Sequence, residues 1–133
     1  MIEIGTSIPP HEFEVNRELL KQYADASGDQ NPIHQDETFA KSVGLPDVIA
    51  HGMLTMALAG KYISDWAGGP QSVKEFSARF TKPVIVPAGK SVDLTLSATV
   101  VEVIGQRVRL EISATSQGVK VLGMAKALVE KGN

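Results

Sequence analysis

The hydrophobic period of this chain changes near residue 70, and that change limits the fold more than any other feature. Before it, residues 51–67 carry Met53, Leu54, Met56, Ala57, Leu58, Ile63 and Trp66. Their density predicts a helix that is apolar on most faces and therefore buried. Gly68-Gly69-Pro70 ends it, because proline cannot continue a helix. After the change, residues 73–86, 91–104, 107–116 and 119–130 are rich in Val, Ile and Thr and alternate apolar with polar residues, which predicts four strands. Pro87-Ala88-Gly89, Gly105-Gln106 and Gln117-Gly118 are short links, so sequential strands are expected to pair as an antiparallel meander. The expected class is α+β, an antiparallel sheet wrapped around a long central helix.

The 133 residues are expected to form a single domain, 1–133, able to bury roughly two-thirds of its unfolded surface. A net charge of −2 supplies no basic field for nucleic acid or an anionic membrane. With no cysteine, disulfides, thiolate catalysis and Cys-ligated zinc are excluded. Met1-Ile2-Glu3-Ile4-Gly5 has neither the basic nor the apolar run of a signal peptide, and a cytoplasmic location is expected. The longest apolar-rich stretch, 53–63, is interrupted by Thr55, Gly60 and Lys61 and is too short to span a bilayer.

The first half reads as short elements around a loop. Pro9-Pro10 ends an extended lead-in, and residues 11–15 alternate as an edge strand with His11 on the surface. Asn16 is a helix N-cap, Leu19, Leu20, Tyr23 and Ala24 recur at helical spacing, and Gly28 stops the helix. Asp36 caps a second short helix through Val43, with Gly44 after it and a turn at Leu45-Pro46-Asp47.

Between these helices lies Ser27-Gly28-Asp29-Gln30-Asn31-Pro32-Ile33-His34. Pro32 fixes its own φ and pushes Asn31 toward extended geometry, so this segment is not regular helix. On a helix Asp29 and His34 would lie about 500° apart, far from one face. A rigid loop can aim both at one point. Imidazole is the side chain best matched to proton transfer at neutral pH, and a carboxylate can accept from water and polarise it. The plainer reading is that Asp29 and Asn31 make Asx-turn hydrogen bonds and His34 is a loop residue.

The run Tyr23-Ala24-Asp25-Ala26-Ser27-Gly28-Asp29-Gln30-Asn31-Pro32-Ile33-His34 resembles the signature of MaoC-like (R)-specific enoyl-thioester hydratases and dehydratases. Ile49-Ala50-His51-Gly52-Met53 resembles the second signature of that family, in the right order. The likeness covers nearly the whole chain. It is greatest to single-domain PhaJ-type hydratases and, closer still, to the catalytic HadB-type subunits of mycobacterial hydroxyacyl-carrier dehydratases. It implies a hotdog fold and an acyl-CoA or acyl-carrier-protein substrate. It also implies a homodimer, or a heterodimer with a related hotdog subunit. No cofactor is implied.

The resemblance further implies that Asp29 and His34 hold and activate one water, and that the backbone N–H of Gly52 stabilises the thioester oxygen. The start of the apolar helix suits that role, since its first N–H groups lack internal partners. Gly52 also fits a tight turn into the helix, and both readings can hold. Asn31, His51, Met53, Gly60 and Ile63 are expected around the substrate. Gly60 is costly inside a helix, so either a packed strand or an acyl tail is expected against it, with Ile63 as the floor of a channel. Arg79, Lys82, Lys61 and Lys74 are either phosphate contacts or solvated charges. Trp66 and the methionines read as core. Two rival functions are a hotdog thioesterase and a non-catalytic acyl-binding subunit of a dehydratase complex.

Other motif classes fail. Asp29-Gln30-Asn31 opens like a calcium loop, but His34 stands where glycine is required and Ala40 where glutamate is. A zinc site from His34, His51 and an aspartate is possible only in principle, since no helical His-x-x-x-His pair exists, and no metal is expected. There is no P-loop, no dinucleotide-binding glycine pattern and no Gly-x-Ser-x-Gly.

Overall fold

An edge position explains how a strand tolerates two adjacent prolines. In the computed structural model, which describes residues 2–131, β1 (Ser7–Val15) runs through Pro9-Pro10. Proline offers no ladder N–H, so it belongs where one side of a strand is unpaired. β1 pairs on one side only, and its register shifts between Ile8 and His11. The strand thus begins earlier than the alternation of 11–15 predicts. His11 is exposed, as expected.

α1 (Arg17–Ser27) begins where Asn16 accepts from the Leu19 N–H and stops at Gly28, whose φ of 83° is left-handed. The motif loop then makes a single 3₁₀ turn over Pro32–His34, which the loop expectation did not include. α2 (Glu37–Ser42) starts on the Asp36 side chain, which accepts from Phe39 N–H. α3 (Gly52–Ala67) is 16 residues, about 24 Å long.

Four more strands and a short fifth follow. They are β2 (Val73–Phe80), β3 (Val92–Ile104), β4 (Arg107–Ser116), β5 (Val119–Lys120) and β6 (Leu122–Glu130). The antiparallel order is β1-β3-β4-β6-β2, with β5 beside β4. The meander expectation holds for β3, β4 and β6. It fails for β2, which lies beyond β6 at the far edge rather than next to β3. The strand expected over 73–86 stops at Phe80. Pro83 lacks a ladder donor, and residues 84–86 leave the main sheet to pair with 48–50. Ala50 N–H donates to Val84 O and Val86 N–H to Val48 O, each at 2.8 Å, around the Ile49–Ile85 bridge.

The sheet's inner face buries Val92, Leu94, Leu96, Ala98 and Val100 of β3 and Val108, Leu110, Ile112 and Ala114 of β4. Leu54, Ala59, Ile63 and Ala67 of α3 join the same core. This is a hotdog fold, a curled antiparallel sheet around one long helix. α3 is not buried all round, however. Met53, Ala57, Lys61 and Asp65, spaced at i+4, are exposed along one flank. The sheet can cover only one side of a helix, and the other side of α3 has no covering element among the described residues. No helix in that range is long and apolar enough to cross a membrane.

Arg17 ties α1 to the strip that carries the second motif. Its guanidinium donates to Val86 O at 2.6 Å and to Asp47 Oδ1 at 2.9 Å. Arg17 and Asp47 are mostly shielded, with side-chain exposures of 25% and 16%. Truncation would leave the Asp47 carboxylate and the Val86 carbonyl without their charged donor. Arg17→Ala is expected to lower stability by about 1.5–3 kcal/mol, read as a fall in the urea midpoint with unchanged slope. A midpoint equal to that of the parent would refute this anchoring role.

Candidate active site

The two signature segments meet through backbone and ring contacts. Ile49 N–H donates to Ile33 O at 3.2 Å, and His34 Nδ1 lies 2.8 Å from Ile49 O. A carbonyl only accepts, so Nδ1 carries the proton. His34 Nε2 is then left with its lone pair, in a ring that is only 7% exposed yet lines a cavity of about 250 Å³. The cavity opens between the start of α3 and residues 80–84. Its other walls include Gly52, Thr55, Phe80, Lys82 and Val84.

Asp29 is exposed, just beyond the Gly28 cap. Its Oδ1 accepts from Asn31 N–H at 3.1 Å, so the Asx-turn reading holds. The functional reading is not displaced by it. One carboxylate oxygen of Asp29 and one ring nitrogen each of His34 and His51 lie within 4.8 Å of one another. One water making two ordinary hydrogen bonds can bridge such a gap. The Asn31 Oδ1 accepts from Ile33 N–H at 3.2 Å, so it also helps to hold the loop.

His51 is almost fully buried, at 1% exposure, and is not on the cavity wall. It was expected beside the substrate, but the cavity does not reach it. It sits behind His34, with ring centroids 3.8 Å apart and planes 23° from parallel. Tyr23 packs on it at 4.8 Å. Its Nε2 meets the Asp29 carbonyl at 3.1 Å and so carries the proton. Its Nδ1, buried, has no hydrogen-bond partner among the described residues. An unpartnered buried acceptor costs about 1–3 kcal/mol. Burial pushes the His51 imidazole below its ordinary pKa. The hydrogen bond to the Asp29 carbonyl opposes this, and charge on His34 adds to it.

These three residues do not suit a metal. Two ligands of a tetrahedral zinc lie about 3.3 Å apart with lone pairs converging at roughly 2 Å from each nitrogen. Stacked rings hold their lone pairs in nearly parallel planes instead.

Gly52 begins α3, and its N–H has no acceptor among the described residues. Its φ is not left-handed, so a turn does not require the glycine. Phe80 is the close neighbour instead: a Cβ at position 52 would lie 3.2 Å from two carbons at the tip of its ring, so the ring would have to give way by a few tenths of an ångström. Phe80 was missed in the sequence. The one signal was an aromatic residue just ahead of the break at Pro83.

Of the other residues expected around the substrate, Met53, Gly60 and Ile63 do not line this cavity. Met53 is 57% exposed and points away from the cavity, about 100° around the helix from Gly52. Ile63 is fully buried in the core, about 16 Å along α3 from Gly52, and the cavity does not reach it. A Cβ on Gly60 would meet no described atom within 4 Å, so no strand packs there. Among the four cations considered, Lys82 alone lines the cavity. Lys61 pairs with Asp65 at 2.9 Å and Lys74 approaches Glu130 at 3.9 Å.

A family model described as a MaoC like domain matches residues 3–123. The 3-hydroxyacyl-thioester dehydratase X of Mycobacterium tuberculosis is 46% identical over 69 residues, 52% of this chain and 24% of that protein. Two Streptomyces UPF0336 proteins match over 50% and 45% of their lengths, so the chain spans half or less of these curated relatives. A solved MaoC-like dehydratase superposes with a TM-score of 0.95 at 36% identity, covering 98% of this chain and 41% of that one. R-hydratase PhaJ1 from Pseudomonas aeruginosa, unliganded, superposes with a TM-score of 0.85 at 29% identity, covering 99% and 83%. With nearly all of its length matched by the family model and both signature segments meeting at one cavity, this chain belongs to the MaoC-like domain family.

Proposed function

We propose that this chain catalyses the reversible (R)-specific hydration of trans-2-enoyl thioesters and dehydration of (3R)-hydroxyacyl thioesters, carried on coenzyme A or acyl-carrier protein. The observation that carries the reading is the tautomer of His34. Its Nδ1–H is held by Ile49 O at 2.8 Å, which leaves a basic Nε2 in a ring on the cavity wall. The Asp29 carboxylate stands within one water's span. The names of the dehydratase and R-hydratase relatives agree with this chemistry.

In the hydration direction the water between Asp29 and His34 loses a proton to one of them, and its oxygen bonds to C3. The C2–C3 π electrons move onto the thioester oxygen, where the free N–H of Gly52 donates to the developing charge. C2 then takes a proton as the enolate collapses. Water is consumed and nothing else is released. The chemistry needs no hydride carrier and no metal. A cytoplasmic setting suits it.

Substrate binding is expected to involve a second hotdog subunit. β2 ends the sheet with its outer side unpaired, and the Met53, Ala57 and Gly60 flank of α3 is open. An unpaired edge beside an uncovered helix flank suits a subunit contact. An acyl tail passing Gly60 would then be enclosed between subunits rather than within this chain. The partner is a second copy or a related hotdog chain. Light scattering is expected to give a dimer when the chain is expressed alone or with that partner. Full activity from a monomer would contradict the shared channel.

Asp29→Asn and His34→Ala are each expected to lower crotonyl-CoA hydration by about a hundredfold or more without unfolding the protein. Because both act on one water, the double variant should be little worse than the poorer single one. Loss of the enoyl absorbance and release of free thiol are followed separately. Thiol release without hydration would make the protein a thioesterase, and wild-type rates in Asp29→Asn would remove that residue from the mechanism.

A further inference from the structure

The buried imidazole that the mechanism leaves unused is His51. Packing alone does not account for it, since phenylalanine would fill the same space against Tyr23 and His34 without stranding a polar atom. The stranded Nδ1 therefore needs another explanation. That explanation is the opposite nitrogen. Nε2–H reaches the backbone carbonyl of Asp29 across 22 residues of sequence, at 3.1 Å. Few other contacts hold this residue. Asp29 is exposed, and its other hydrogen bonds join it only to Ser27 and Asn31 of the same loop. The same ring lies face to face with His34, the other half of the pair.

We propose that His51 is a positioning residue for the hydratase reaction, holding Asp29 at its working distance from His34 through the hydrogen bond from Nε2–H to the Asp29 carbonyl. This inference rests on the hydratase reading above. The ring stack gives His51 a fixed reference, because His34 is itself pinned to Ile49. Asp29, exposed on its loop, is thereby tied to the same rigid body as the base. His51 also does not compete for the proton that His34 handles. A proton on Nδ1 would be a buried donor without an acceptor, next to a second imidazole. The charged and titratable groups facing the ring are Asp29, His34 and Tyr23, and a second charge there is opposed chiefly by burial.

Two variants separate the hydrogen bond from the packing. His51→Phe keeps a ring on His34 and loses the N–H. His51→Gln loses the ring and keeps an amide N–H at about the reach of Nε2. Rates are normalised to folded protein by circular dichroism. With crotonyl-CoA, His51→Phe is expected to lose about tenfold or more in kcat with KM within about twofold, because a misplaced group costs rate rather than binding. His51→Gln is expected to recover most of that loss. Unchanged kcat in His51→Phe, or equal losses in both variants, overturns the proposal. Long-range proton–nitrogen spectra of the wild-type protein test it without any substitution. They are expected to find His51 in the Nε2–H form, and an Nδ1–H form overturns the proposal. An inactive wild type would instead overturn the hydratase reading, and this inference with it.

Discussion

The hydrogen bond from His34 Nδ1–H to the Ile49 carbonyl, 2.8 Å long, joins segments 15 residues apart, and the rest of the site depends on it. It fixes the tautomer of the imidazole on the cavity wall. It also brings the motif loop to the start of α3, so that a lone pair and a free helix N–H face the same space. The carbonyl is held in turn by the strip 48–50 pairing with 84–86, and Arg17 locks that strip to α1 through Val86 and Asp47. Placement of the chemistry is thus a product of packing at some distance from it. A change at Arg17 or in the 84–86 strip acts on the site by moving the Ile49 carbonyl.

The site also concentrates unsatisfied polar groups. Gly52 N–H has no acceptor and His51 Nδ1 has no donor, in a fold whose other buried side-chain polar atoms are paired among the described residues. A folded chain carries such costs where they serve binding or positioning. The Phe80 ring over Gly52 lies within van der Waals reach of the helix start, although the side chain is 55% exposed.

Local signals in the sequence were legible because their causes are local. Asn16, Gly28, Asp36 and Gly68 act within a turn of the chain, and each does what its residue type predicts. Alternation likewise marked residues 91–104 and 107–116 as strands, and β3 and β4 each bury one set of alternate side chains. It did not assign neighbours, because a period of two names a face and not a partner. β2 therefore went to the wrong place in the expected order. The helical pattern of α3 gave its length but not its open flank, since composition does not say which face finds a partner. The convergence of Asp29 and His34 was expected from the loop chemistry and its likeness to a family, and the structure brings one atom of each within 4.8 Å. The burial of His51 behind His34 was not, because stacking across 17 positions leaves no mark on either local pattern.

The central claim is that a basic His34 nitrogen, the Asp29 carboxylate and the Gly52 N–H act on one water held at one face of the bound enoyl group. Fixed geometry of that kind must produce a single enantiomer. The direct measurement is the configuration of the 3-hydroxybutyryl thioester formed from crotonyl-CoA, resolved by chiral chromatography of the released acid at low conversion. The (3R) product alone is expected. A racemic or (3S) product would contradict it.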